Sequence, residues 1–402
     1  MALSSPPDCD LAIVGGGIVG ATLAAALGRS GLRVAVLEAR PQAEVIARSR
    51  AYALSVLSSQ IFSALGIWDT LRPQIAAFRQ IRLSDGDDPG LVQFLPSDLD
   101  TADLGYVGEH GVILRALYDF LATCPQVAWY CPAEVLDFER DAAGLHLRLQ
   151  RATGEQRLYT RLLVGADGPR SRVRQLAQIG TQGWRYWQSC VTFVLRHQQP
   201  RNDVAFECFW PSGPMGVLPL PGDRCQVVWS APHAEAQALS ELPQAEFQAT
   251  LAQRFGPMLG PVELVGDRRV FPVQLLQSDR YVQPRLALIG DAAHCCHPVG
   301  GQGLNLGIRD AAALAQVLKT AAAAGQDLGD LATLRQYERW RWRENWVMLG
   351  FTDVLDRLFS NAWPPLVMVR RWSLWGLRRV APLRRWALRL MTGLLGRQPQ
   401  LS

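Results

Sequence analysis

The sequence predicts an α/β protein: a Rossmann-like dinucleotide-binding domain, an antiparallel β-sheet inserted into it, and a helical C-terminal region. Three observations carry this expectation. Residues 10–37 read as strand, glycine-rich turn, helix and strand. Residues 286–313 (LALIGDAAHCCHPVGGQGLNLGIRDAAA) read as an apolar strand, a glycine-rich loop and the start of a long helix. Between them, residues 184–231 turn to aromatic and β-branched runs punctuated by proline and glycine, the pattern of an antiparallel sheet. At 402 residues, 49% hydrophobic and 19% charged, the chain has the length for two lobes sharing a large core, which excludes a disordered protein.

In chain order, residues 10–14 form the first strand, Gly15, Gly17 and Gly20 stand in GxGxxG spacing, a helix runs to about residue 29, and 32–37 is the second strand. The first two glycines permit a tight turn and close approach of a pyrophosphate, and the third lets helix pack on strand. Glu38 ends the second strand, the place of the acid that takes ribose hydroxyls. This unit fits NAD as well as FAD. The uncharged run 11–28 is long enough to span a membrane, but its five glycines argue against that. Residues 48–65 carry helical spacing, and Arg50 within them either reaches back to the cofactor or sits solvated. Residues 81–95 are strand-like around a turn at 85–90 and are placed away from the cofactor. A helix at 111–121 leaves Arg115 open to the same two readings as Arg50.

Strands at 145–149 and 157–163 flank a turn at 152–155. The second runs into Ala166, Asp167, Gly168 and Pro169, with Ser171, Arg172 and Arg174 on the next turn. An acid and a glycine at a buried strand's end suit a second contact zone for phosphates and ribose; the alternative is a structural turn with a solvated basic face. The inserted sheet takes strands 190–195, 204–210, 216–220 and 225–230, a helix follows at 242–255, and 270–275 leads back to the first lobe.

The 286–289 strand is apolar enough to be buried on both faces, so Gly290 and Asp291 fall at its carboxyl end, with Asp291 placed to accept hydrogen bonds from hydroxyls. Pro298, Gly300, Gly301 and Gly303 keep side chains clear, and from about Leu304 the chain turns helical with free N–H groups facing the loop. Such a helix end favours negative charge, which a reduced flavin carries on its pyrimidine edge. His294, Cys295, Cys296 and His297 are successive and cannot all point at one ion, so no metal is expected. No nucleophile elbow is present, which leaves hydrolase chemistry without a foothold.

The eight cysteines form no CxxC pair and suit reduced thiols. Residues 1–10 lack the basic and apolar regions of a secretory signal, so the expected location is cytoplasmic, peripheral on the inner face of the membrane. That last expectation comes from the tail. The net charge of +5 conceals nine arginines and no acid in residues 357–402, which leaves the rest of the chain net acidic and points to no nucleic-acid partner. Helices are expected at 304–324 and 331–359, with two shorter ones either side of Pro382. Leu383, Ala387, Leu390 and Leu394 form an apolar stripe with Arg384, Arg385 and Arg389 off it, and Trp363, Trp372, Trp375 and Trp386 lie in the same tail. A membrane surface would attract such a segment; the stripe could equally pack on the body or on another subunit.

The GxGxxG run with Glu38, ADGPRSRVR at 166–174 and GDAAHCCHPVGGQGLNLGIRD at 290–310 together resemble the single-component flavoprotein aromatic monooxygenases. The HPxxGQGLNLGxxDA form, with LGIWDTL at 65–71, LGYV at 104–107, ECFWPSGPMGVLPL at 207–220 and VVWS at 227–230, is similar to the hydroxylases of ubiquinone biosynthesis, and the likeness covers nearly the whole chain. The resemblance implies a glutathione-reductase-like FAD domain, as in p-hydroxybenzoate hydroxylase, from residues 1–80, 105–180 and 270–345. It implies a β-sheet substrate domain from 81–104 and 181–269, and a helical tail from 346–402. Gly15, Gly17, Gly20 and Glu38 would hold the ADP half of FAD, Asp167 would serve pyrophosphate and NAD(P)H, and Gly290 with Asp291 would meet the ribityl chain. Pro298, Gly301, Gln302, Gly303, Leu304 and Asn305 would lie along the isoalloxazine. The implied reaction is reduction of FAD by NAD(P)H, capture of dioxygen as a flavin hydroperoxide, and hydroxylation of a lipophilic phenol, a polyprenylated quinone precursor, with membership of a quinone-biosynthesis complex possible. No catalytic base can be named. Gly300 stands where alanine is common, and residues 108–110 replace a more acidic VEN-like run, which puts the exact substrate in doubt.

Other readings are a flavin halogenase or isoprenoid reductase, an enzyme acting on another quinone or isoprenoid, or a non-catalytic FAD-binding scaffold or lipid carrier. Halogenases use a lysine beside the substrate and a WxWxIP motif; here Trp340–Arg343 is not followed by Ile and Pro, and the sole lysine, Lys319, lies well along the helix. Retention of the whole 290–310 motif argues against a scaffold.

Overall fold

The computed structural model of the chain describes residues 6–86 and 88–401; residues 1–5 of the leader reading and Asp87 of the 85–90 turn lie outside them. Cys9–Val14 is at the centre of a sheet, with Gly154–Gly165 on one side and Val34–Leu37 on the other. Leu286–Leu288 and Val127–Tyr130 extend it outward, and all five strands are parallel. Leu286, Ala287 and Leu288 are fully buried, as a strand covered on both faces must be. Parallel strands put their carboxyl ends on one edge, so Gly15, Glu38, Ala166 and Gly290, which follow four of those ends, converge there although 275 residues separate the first from the last. The uncharged run 11–28 is the central strand and the Ile18–Leu27 helix, nine of whose ten residues are buried. Among the described residues no helix is long and apolar enough to cross a membrane.

The second sheet has eight strands. Thr181–His197 and Val262–Ser278, seventeen residues each, pair toward one side of it and are far longer than the 190–195 and 270–275 segments expected. Alternation is interrupted by register shifts within both, which hid their full length. The sheet is not wholly antiparallel: Val204–Trp210 runs parallel to Gln80–Asp85, so residues 80–94 belong to this sheet. One face is covered by two helices, His233–Glu241, which lacked a sequence signal, and Gln244–Leu259, in place of the single 242–255 helix. Phe247, Leu251 and Phe255 pack there on Phe193 and Trp229. The opposite face turns toward the 298–303 loop and the tail, where Phe78, Leu83, Phe209, Val299, Phe359, Leu374 and Leu388 share one apolar cluster.

Residues 48–65 divide differently from the expected helix. Ala51–Ser55 is a strand paired with Gly105–Glu109, and the helix starts at Val56 with Ser55 as its cap. The tail helices are Pro364–Arg379 and Ala381–Met391, so Pro382 lies in the first turn of the second helix, where its missing N–H costs nothing. The stripe assignment also changes. Arg384 points inward and its Nε donates to buried Asp98 at 2.8 Å, while Leu388 takes the core position and Leu383 is exposed. Arg370 is likewise buried, 2.8 Å from Asp85. Both arginines are anchors to the body.

Candidate active site

At the first motif, a Cβ on Gly15 would lie 2.4 Å from the Ala166 carbonyl oxygen, and one on Gly20 would lie 2.0 Å from that of Gly15. Both positions therefore exclude every side chain. Gly17 precedes the Ile18–Leu27 helix without a side-chain cap and faces open space, so the first N–H groups of that helix are free to meet an anion. The Gly16 N–H donates to Glu38 Oε2 at 2.8 Å and the Arg40 N–H to Oε1 at 3.1 Å, which fixes this carboxylate at the strand's end. Tyr118 Oη donates to the Gly16 carbonyl at 2.7 Å, and its ring packs edge-on against Trp129. This aromatic brace had no sequence signal, because its two members come from a distant helix and strand.

The second motif is tied to its own turn. Asp167 accepts from Ser171 Oγ at 2.6 Å and from the Val173 N–H at 3.1 Å, and burial pushes its carboxyl above the usual range despite them. Arg174 is buried and donates to the carbonyls of Ala292 (2.7 Å) and Pro169 (2.8 Å), strapping the second motif to the third. Arg50 lies across Tyr52 and Phe271, with its guanidinium 5.2 and 4.7 Å from their centroids, and its charge reaches Asp291. Arg115 is exposed on the His110–Ala122 helix.

The third motif is anchored from beneath. Buried Asp310 accepts from the Gly290 N–H (3.1 Å), His294 Nε2 (2.5 Å), Arg341 Nε (2.8 Å) and Asn345 Nδ2 (3.0 Å). Burial alone would raise this carboxyl, but His294 and Arg341 hold it well below the usual range. Asp291 is solvent-exposed but closely surrounded by protein, the setting of a cleft floor; burial raises its carboxyl, opposed by His294 and Arg50. Pro298 leads into a short turn in which Gly300 and Gly301 are both left-handed (φ 69° and 63°). Gly301 then starts the Gln302–Ala323 helix without a side-chain cap, and Gly303 and Leu304 lie in its first turn. Gln302 is buried and donates to the carbonyls of Gly300 (2.8 Å) and Met391 (3.1 Å). Asn305 donates to Ala53 and Gly301 carbonyls and accepts from the Ser55 N–H and Ser58 Oγ. Its amide capacity is thus spent on tying the loop to the Ala51–Ser55 strand. His297 faces the other way, toward Gln188 (3.2 Å) and Asp356 (3.6 Å), and burial pushes it down to about 3. His294 and His297 therefore diverge, and among the described residues no group of three His, Cys, Asp or Glu could hold a metal.

Two uncapped helix N-termini, glycines that a Cβ would block, and two carboxylates on the same edge of the parallel sheet form a cradle for a long, anionic, hydroxyl-bearing ligand, and these donors fit FAD. The FAD binding domain family model matches residues 8–352. The chain is 37% identical to the ubiquinone hydroxylase UbiL of Rhodospirillum rubrum over 394 residues, covering 97% of this chain and 91% of that protein. The chain belongs to the ubiquinone-biosynthesis hydroxylase family of FAD-dependent aromatic monooxygenases. It is also 54% identical to an uncharacterized protein of Synechocystis, across 98% of this chain and 95% of that one. The crystal structure of p-nitrophenol 4-monooxygenase from Pseudomonas putida shares the fold, with a TM-score of 0.83 at 20% identity, 96% of this chain and 98% of that chain being covered.

As in this family, bound FAD supplies the electron-transfer and oxygen-transfer chemistry, with NAD(P)H as co-substrate. Two side chains beside the 298–303 loop escaped the sequence reading. Met391, from the end of the tail, reaches within 3.3 Å of where a Gly300 Cβ would stand, so the tail closes over the loop. Glu207, in the Val204–Trp210 strand, places Oε2 3.4 Å from the Gly300 N–H. A lone glutamate in an aromatic strand carries no pattern that marks it.

Proposed function

We propose that this monooxygenase hydroxylates the aromatic ring of a polyprenylated phenol, a quinone precursor, drawn from a membrane surface on the cytoplasmic side. The observation that carries this reading is the apolar cluster joining loop residue Val299 to Phe209 of the sheet and to Phe359, Leu374 and Leu388 of the tail. The outer side of the same tail exposes Trp363 (62%), Trp372 (74%), Trp375 (59%) and Trp386 (53%). An apolar tail on the substrate would meet apolar side chains from the bilayer side to the loop, and would have to part those packed between them. The protein's task there is to orient the ring and exclude water, since a reactive oxygen donor that meets water is wasted as hydrogen peroxide. Asp167, Arg50 and Arg115 remain proposed contacts for FAD or NAD(P)H, and Asp291 for the ribityl hydroxyls. A quinone-biosynthesis complex could use the same tail surface.

The test is turnover under labelled dioxygen: a phenol should accelerate NAD(P)H oxidation and acquire one oxygen atom from the gas. Label arriving from water contradicts the reading. For the membrane step, Arg378, Arg379, Arg385 and Arg389 are exposed, whereas Arg384 and Arg370 are anchors to be left alone. Changing those four to glutamine should weaken salt-sensitive binding to anionic liposomes by up to about 1 kcal/mol per residue at unchanged FAD content. Undiminished binding would make the tail an oligomer or partner surface.

A further inference from the structure

The reaction proposed above gains from a group that draws off the phenol's proton, because a phenolate ring is the better nucleophile. The Val204–Trp210 strand alternates across its sheet. Phe206 and Cys208 look toward the Gln244–Leu259 helix, while Ala205 and Phe209 look toward the loop and the tail. Glu207 shares the second face. It is half-buried, its cross-strand partners are Gly216 and Leu83, and a Gly216 Cβ would lie 3.5 Å from its carboxylate, so glycine leaves space beside it.

Among the described residues no charged side chain shifts its titration. Among the described residues it makes no ion pair. The loop turn offers only the Gly300 N–H, the tail brings Met391 to that turn, and the titratable groups that feel its charge are the thiols of Cys208, on its own strand, and Cys190, on the Thr181–His197 strand. Arg50 and Asp356 act on Cys190 more strongly than Glu207 does. Burial, only partly offset by the Gly300 N–H, pushes the Glu207 carboxyl up to about 7. A phenol titrates near pH 10, as tyrosine does, so the raised carboxyl is closer in basicity to the group whose proton it is to accept. An acid placed here for structure alone would have been given a partner, as Asp310, Asp98 and Asp85 were.

We infer that Glu207 is the catalytic base that accepts the phenol proton of the substrate held beside the contact of the Val204–Trp210 strand with the Gly300 turn. This rests on the phenol reading above. In the step, the phenol O–H bond breaks, the proton bonds to a Glu207 carboxylate oxygen, and the electron pair stays on the phenolate oxygen. No electrons change hands, and oxygen transfer follows from the family's own chemistry. The carboxylic acid returns the proton when the product phenol leaves.

The experiment compares holoenzyme with Glu207→Gln on two soluble probes, 2-methoxyphenol and a more acidic difluorophenol, across pH 6 to 9. In the parent, kcat/KM should rise with pH through about 7. In Glu207→Gln that limb should vanish on 2-methoxyphenol, with kcat lowered by about 100-fold and KM nearly unchanged, and the loss on the difluorophenol at pH 9, where it is more ionised, should be under about 10-fold. A readout without turnover is the affinity of oxidised holoenzyme for 2-methoxyphenol against its methyl ether, followed by the flavin spectrum: the preference for the phenol should grow with pH in the parent and be flat in the variant. Equal losses on both probes, or a surviving limb, overturn the assignment. Should the amide disturb the Gly300 turn and FAD be lost, Glu207→Ala replaces it and the same comparisons decide. A parent that hydroxylates neither probe nor the polyprenylated phenol sinks the functional reading instead.

Discussion

The two sides of the 290–303 loop are built on opposite rules. Beneath it, Asp310 is fully buried and meets four donors; on the cleft side, Asp291, nineteen residues earlier in the same motif, is exposed and makes no side-chain hydrogen bond among the described residues. Protein surrounds both, and burial disfavours charge on both. Only Asp310 has partners that outweigh that effect. The difference separates two uses of a carboxylate: Asp310, supplied with protein donors, holds the backbone, and Asp291 is the one we propose for hydroxyls that arrive with the cofactor.

The largest break in this comparison should come from Asp310→Asn. Removing the charge leaves buried Arg341 with Glu344 but without its fully buried partner, and loss of one partner of such a pair costs up to about 3 to 5 kcal/mol of folding free energy, readable by urea unfolding. The pH dependence carries the same signature. Because the folded carboxyl titrates below its unfolded value of about 3.9, its contribution is present above that pH and is lost as pH falls further. The parent should therefore lose stability below pH about 4 more steeply than Asp310→Asn, and parallel curves would break the scaffold assignment.

Asn305→Ala sharpens the comparison from between the two sides. Its amide joins the helix start to Ala53, Ser55 and Ser58, and truncation strands buried donors and acceptors at a cost of about 1 to 3 kcal/mol. Stability and FAD retention should fall together, because the loop loses its tie to the neighbouring strand. A fall in FAD retention alone would move Asn305 from the frame to the cofactor.

The parallel sheet and its glycine turns were legible because close backbone approach leaves the sequence no alternative at Gly15 and Gly20. The position of Asp291 was legible for a related reason: a buried apolar strand must end somewhere, and the first acid after it lies exposed beyond the strand's carboxyl end. What could not be read were pairings across distance. Arg384 sits among basic neighbours on an amphipathic helix, and nothing local shows that Asp98, 286 residues earlier, takes it inward. Residues 51–55 have helical spacing of small residues, yet the edge offered by Gly105–Glu109 makes them a strand. Glu207 becomes visible only when the Gly300 turn is brought against its face of the sheet.

Asp291 gives the smallest effect on the fold and the clearest one on the ligand. Its raised carboxyl makes the ionised form a cost in the free protein, so its contribution to stability is favourable at low pH and is lost as pH rises through its folded value. Asp291→Ala should therefore unfold no more easily than the parent near neutral pH. The decisive measurement is equilibrium FAD binding to the deflavinated parent and to Asp291→Ala under identical conditions. The account predicts a loss of about 1.5 to 3 kcal/mol, a factor of roughly 10 to 150 in affinity, with unfolding unchanged. Unchanged FAD affinity in the folded variant would contradict it.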